Sequence, residues 1–208
     1  MKDRIYFYTL YERLWHWLQA VAIIALLITG FEISFTSLFS GKGFALSVSI
    51  HNILGIILSI NAFLAFFYHI VGGILKQYIP GIEDFFSLGF KHASYYLIGI
   101  FRGDPHPFDK TPEKRLLPLQ KITYFGMLHI LLPFMVITGL LKWSAMYTQT
   151  YITMFGGLHI LGPLHRFGAW LFLSFVIIHV YMITTGPSPL ASLKSMITGY
   201  EERIHSSS

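Results

Sequence analysis

The chain has 208 residues, of which 54% are hydrophobic, 17% aromatic and only 12% charged, against about 25% charged in an ordinary soluble domain. With a mean hydropathy of +0.58, this excludes a soluble globular protein and assigns the chain to lipid. Cysteine is absent, which excludes thiolate-held iron–sulfur clusters, C-x-x-C-H attachment of a cofactor and disulfides. The net charge of +5 does not call for nucleic acid, because in a membrane chain basic residues collect on the cytoplasmic face.

In chain order, Lys2 and Arg4 precede a first apolar stretch over 13–33. It is too long for a secretory leader and no small-residue cleavage site follows, so a retained span is expected. A second stretch covers 48–76. The next segment, Glu83 to Phe101, mixes Phe85, Phe86, Phe90, Tyr95 and Tyr96 with Asp84, Lys91 and His92, the composition of a helix lying in the membrane interface. Pro105, Pro107, Pro112 and Pro118 then predict an extended loop. Further spans are expected over 119–142 and 164–185, and the closing Ile204 to Ser208 gives no organisational signal.

Each of the four stretches can cross about 30 Å of hydrocarbon at about 1.5 Å per residue. The expected fold is all-α: a four-helix transmembrane bundle with an interfacial helix in the second loop, one domain over 1–208, multi-pass in the cytoplasmic membrane of a bacterium or archaeon. Twelve of the fifteen Lys and Arg flank the termini and the second loop, whereas Lys42, Lys142 and Arg166 lie on the other side. That asymmetry predicts both termini in the cytoplasm.

The ten histidines are the chemical signal, because an imidazole inside a bilayer is normally held by a partner, a cavity or a cofactor. His16, near the inner end of the first span, and His179, near the inner end of the fourth, share a depth. His51 and His165, which open the second and fourth spans, share the opposite depth. Within the fourth span His165 and His179 are fourteen residues apart, about 21 Å along the axis and on nearly one face. Two bis-histidine b-type haems fit this pattern. A bare metal ion does not, since no three-His or His–carboxylate grouping lies within a span.

His69 is an alternative inner ligand. It follows His51 by eighteen residues, about 27 Å, a misfit of about one turn to the 21 Å of the fourth helix. His16 is therefore preferred and His69 is assigned to a quinone site with Gln120, Lys121 and Tyr124. His129 in mid-span suits packing, and His159 an outer surface. Gly30, Gly55, Gly139 and Gly168 allow close approach of a helix or a flat macrocycle, Gly55 and Gly168 lying one turn from His51 and His165. Arg13 and Arg166 adjoin proposed ligands and suit haem propionates.

Arg13-Leu14-Trp15-His16-Trp17, His51-Asn52-Ile53-Leu54-Gly55 and the His165…His179-Val180-Tyr181 pattern, with Pro118-Leu119-Gln120-Lys121 and Thr185-Gly186-Pro187, make almost the whole chain resemble the hydrogenase-type di-haem cytochrome b subunits that serve nickel–iron hydrogenases, formate dehydrogenases and thiosulfate reductases. The resemblance implies haem ligation by His16/His179 and His51/His165, a quinone site by the inner haem, and a catalytic partner reached through an iron–sulfur or multihaem subunit, in a homo- or hetero-oligomer. That partner is expected to dock near Lys42 and residues 143–162. Three other readings stand beside it: a stand-alone haem quinone oxidoreductase taking electrons from a small donor such as superoxide, a proton-conducting transporter, and a structural anchor. The transporter reading wants carboxylates beside the histidines, and Glu32 is the one acidic residue near a span interior.

Overall fold

Six helices and a two-stranded sheet make up the computed structural model, which describes residues 2–38, 43–108, 116–145, 147, 153, 156–185 and 188–204. They are β1 (Lys2–Tyr6), α1 (Leu10–Ser34), α2 (Phe44–Val71), α3 (residues 84–102), α4 (Pro118–Ser144), α5 (Leu158–Thr184), α6 (Ala191–Thr198) and β2 (Tyr200–Ile204). The helices α1, α2, α4 and α5 are long and apolar enough to cross a membrane. Lys42, Lys110, Pro112, Lys114, Arg115, Gly186 and Pro187, and much of the expected outer docking loop, lie outside the described residues.

Local chemistry sets the helix ends. Thr9 and Glu12 form a reciprocal capping box at the start of α1: the Thr9 N–H donates to Glu12 Oε2 at 2.7 Å and the Glu12 N–H to Thr9 Oγ1 at 3.2 Å. At α4, Pro118 occupies the first turn and Gln120 Oε1 accepts the Leu117 N–H at 3.2 Å. The second span stops at Val71 instead of residue 76, because Gly72 and Gly73 follow, Gly73 at φ +67°, and only a 3₁₀ turn, Ile74–Gln77, continues. The fourth span starts at Leu158, earlier than 164, with Pro163 inside it, at the loss of one ladder hydrogen bond. Consequently His51 and His165 do not open their helices; each lies seven residues in, counted from Phe44 and Leu158.

The two ends of the described chain pair with each other, and the closing residues 205–208 lie outside the described residues. β1 and β2 pair antiparallel from Lys2 opposite Ile204 to Tyr6 opposite Tyr200. The Gly199 carbonyl, at the end of α6, accepts the N–H of Phe7 at 2.9 Å and of Tyr8 at 3.2 Å.

The described residues divide into two compact units. One holds residues 1–13, 67–129 and 178–208 and contains the sheet, α3 and α6; the other holds residues 14–66 and 130–177. In the first, Phe7 and His92 are fully buried side chains, and the expected interfacial helix α3 exposes Phe86, Phe90, Leu97 and Phe101. In the second, α1 exposes Leu14, Leu18, Val21 and Ile28 while burying Gln19, Ala22 and Thr29. Small and polar residues inside and large apolar residues outside are the pattern of a helix facing lipid.

Candidate functional site

Within the unit of residues 14–66 and 130–177 lies a cavity of about 320 Å³, inside the roughly 300–1,000 Å³ range of small-molecule sites. Its walls are apolar apart from a few groups, among them His51, Asn52, Lys142, His165 and Arg166, and among the described residues no carboxylate lines it. The matched positions of His51 and His165 on α2 and α5 bring their ring centres to 6.3 Å.

Each ring is held by a threonine on a neighbouring helix. Thr29 Oγ1 lies 2.9 Å from His51 Nδ1, and Thr138 Oγ1 lies 2.8 Å from His165 Nδ1. Each hydroxyl donates to a carbonyl one turn back, Thr29 to Ala25 at 2.8 Å and Thr138 to Phe134 at 2.8 Å. A hydroxyl has one hydrogen, so each imidazole is the donor through Nδ1–H. Both Nε2 atoms then carry lone pairs, the tautomer a metal-binding histidine needs.

The glycines after the two threonines complete the cradle. A Cβ at Gly30 would sit 3.3 Å from His51 Cε1, and one at Gly139 would sit 3.3 Å from His165 Cε1. Gly55 differs: it lines the cavity and a Cβ there would meet nothing within 4 Å. Gly168 packs against α4, where a Cβ would lie 2.3 Å from Met135 Sδ and 3.1 Å from Phe134, the geometry of helix packing.

In the other unit, His179 lies beside Tyr124, ring centres 6.3 Å apart. His69 is buried at the end of α2, edge-on to Tyr78 at 4.8 Å. Gln120 serves as the cap described above, and Lys121 pairs with the buried Asp84 at 3.4 Å. Arg13 Nη1 donates to the Ile197 carbonyl, fastening α1 to the C-terminal segment. His129 stacks on Phe125 at 5.0 Å. His16, in the unit of residues 14–66 and 130–177, is edge-on to Trp17 at 5.3 Å, and His159 is exposed. The described residues hold no cluster of three or more His, Cys, Asp or Glu.

A family model for the prokaryotic cytochrome b561 family matches residues 7–199. The chain belongs to the prokaryotic cytochrome b561 family. It is similar to a protein of Escherichia coli (strain K12) named as the cytochrome YdhU, 32% identical over 95% of this chain and 75% of that protein. A protein of Rhizobium leguminosarum bv. viciae named as a Ni/Fe-hydrogenase B-type cytochrome subunit is 27% identical over 95% of this chain and 89% of its own. This cytochrome is therefore a multi-pass electron-transport protein of the bacterial inner membrane, of a family that binds b-type haem.

The histidine pair fits that group. Two metal–imidazole bonds of about 2 Å, with about 1.1 Å more from each ring nitrogen to its ring centre, require about 6.2 Å between ring centres, and the rings stand at 6.3 Å. Two cations, Lys142 and Arg166, on a wall with no carboxylate among the described residues suit a ligand with two propionates. Thr29 and Thr138 are absent from the residues expected from the sequence. Their visible signal is a repeated tripeptide, Ile28-Thr29-Gly30 in the first span and Ile137-Thr138-Gly139 in the third.

Proposed function

We propose that this cytochrome holds two b haems and carries electrons across the membrane between a catalytic partner and quinone. The observation that carries the reading is the His51/His165 pair, spaced for one iron and locked by Thr29 and Thr138 in the tautomer that leaves Nε2 open. Haem bound there supplies a one-electron centre that needs no open coordination position. The residues' task is to position, to exclude water and to balance charge: the apolar wall would limit solvent, Gly55 would leave room for a macrocycle, and Lys142 and Arg166 would balance the propionate charge.

His16 and His179 would hold the second haem. His16 is six residues from the start of α1 at Leu10 and His179 five from the end of α5 at Thr184. His69 is two residues from the end of α2 at Val71, about one helical turn shallower than His16. Depth therefore favours His16 as ligand and leaves His69, with Tyr124 beside His179, for quinone. Gln120 and Lys121 stand nearby, engaged with Leu117 and Asp84, and would act on quinone only by exchanging those bonds. The termini and second loop are assigned to the cytoplasm by their basic residues. A hydrogenase-like partner is the reading the Rhizobium relative's name supports, and an iron–sulfur or multihaem subunit between the two is what the sequence resemblance implies.

The test is the haem-to-protein ratio of the purified chain by pyridine haemochrome, followed by reduction with a quinol in anaerobic nanodiscs. Two b haems per chain, reducible by quinol, are expected. One haem or none would overturn the di-haem reading, and two haems inert to every quinol would overturn the quinone link.

A further inference from the structure

Two histidines outside the proposed haem and quinone residues form a pair of their own. His92, on α3, is 0% exposed, and its Nε2 lies 3.3 Å from Nε2 of the exposed His106. His106 Nδ1 lies 2.6 Å from the Phe108 carbonyl. A carbonyl only accepts, and at 2.6 Å this contact outweighs the 3.3 Å one in which the Phe108 N–H faces the same nitrogen, so His106 carries its proton on Nδ1 and presents a lone pair at Nε2. His92 must then donate through Nε2–H, and its basic nitrogen is the Nδ1 turned into the protein, which is buried. The pair thus has one basic nitrogen inside and one acidic N–H outside.

We propose that His92 and His106 form a proton port connecting the cytoplasmic surface with the quinone region; this rests on the quinone reading above. For release, a proton arriving at His92 Nδ1 sends the Nε2 proton of His92 to His106 Nε2, and the Nδ1 proton of His106 leaves to water. One proton enters, one leaves, and both rings finish in the opposite tautomer. Uptake is the reverse. No electron moves in this step; the two protons and two electrons exchanged per quinone separate, the electrons going to the haems.

The surroundings suit a relay. Tyr96 holds its hydroxyl 3.5 Å from His106 Nε2, and burial first, then the neighbouring Tyr95 and Tyr181, raise its pKa despite a hydrogen bond with Thr185. Tyr96 therefore stays a neutral phenol beside the pair. Tyr95 packs on the His106 ring at 4.9 Å, and Lys91 lies 5.8 Å from the ring of Phe108, which covers His92. From α5, Tyr181 donates to the Tyr96 carbonyl at 2.8 Å. From α4, which packs on α3, come the Lys121–Asp84 ion pair and Tyr124, the neighbour of His179.

Zinc is the probe. Two tetrahedral metal–imidazole bonds of about 2.05 Å put their nitrogens about 3.3 Å apart, the spacing of this pair, and a metal there would replace the travelling proton. Stopped-flow reduction of haem by quinol is followed in nanodiscs against pH and Zn²⁺, for the wild type and His106→Ala, with dithionite reduction and Zn²⁺ binding measured in parallel. Micromolar Zn²⁺ is expected to slow the wild type. His106→Ala should be slower by at least about ten-fold, insensitive to Zn²⁺, deficient in one Zn²⁺ site, partly rescued by added imidazole and normal with dithionite. A His106→Ala protein with wild-type quinol rate and wild-type Zn²⁺ response overturns the port and leaves the quinone reading intact. A wild-type protein whose haem ignores quinol overturns both.

Discussion

A threonine hydroxyl decides which nitrogen of each cavity histidine is available. Because Thr29 and Thr138 spend their hydrogens on Ala25 and Phe134, the imidazoles can only donate to them. Replacing either by valine keeps the shape and removes the acceptor, leaving a buried N–H that costs about 1–3 kcal/mol and a ring free to rotate or change tautomer. Thr29→Val and Thr138→Val should each weaken retention of the outer haem by about 10–100-fold, with serine restoring it and the second haem unaffected, as read by haem stoichiometry after apomyoglobin challenge. Retention unchanged in both valine variants would falsify the tautomer argument. This level of the site was half legible in the sequence. Histidine depth marked His51 and His165, since apolar periodicity fixes where a helix crosses. The threonines were not, because an in-span Thr bonded to its own helix looks the same as one that also holds a neighbour's ring.

At the level of elements, local codes were readable and non-local ones were not. The Thr9-x-x-Glu12 box and Pro118 announce the starts of α1 and α4 from adjacent residues alone. Pro163 lies inside α5, where a helix in lipid can forgo one bond and continue. The terminal strands could not be seen, since five residues beginning at Lys2 become a strand only when Tyr200–Ile204 arrives from the far end. What lets it arrive is Gly199, at φ +88°, where a Cβ would lie 2.8 Å from both the Tyr8 carbonyl and the Tyr6 ring. The left-handed turn alone costs a non-glycine residue about 1–3 kcal/mol, and the clash adds to it. Gly199→Ala should therefore open the strap: amides of β1 should exchange with deuterium about ten-fold faster or more, while haem content stays at the wild-type level.

For the whole molecule, one helix carries a proposed ligand of each haem. α5 carries His165 in the unit of residues 14–66 and 130–177 and His179 in the unit of residues 67–129 and both chain ends. The fourteen residues between these two proposed ligands span about 21 Å along the helix axis, so their separation along α5 follows from helix geometry and not from loops. Independence follows. Removing His51 or His165 leaves the other apolar walls of their cavity in place, and neither His16 nor His179 lines it. His51→Ala or His165→Ala should lower the ratio from two haems to one and spare the inner centre; His16→Ala or His179→Ala should do the converse. The two classes are separable by the redox titration of the haem that survives. His69→Ala decides the inner assignment, because His69 lies two residues from the end of α2 and His16 six from the start of α1, a difference of about one turn. It should keep both haems and slow their reduction by quinol. Loss of a haem from His69→Ala, with both retained in His16→Ala, would transfer the ligand role to His69 and leave the outer pair as argued.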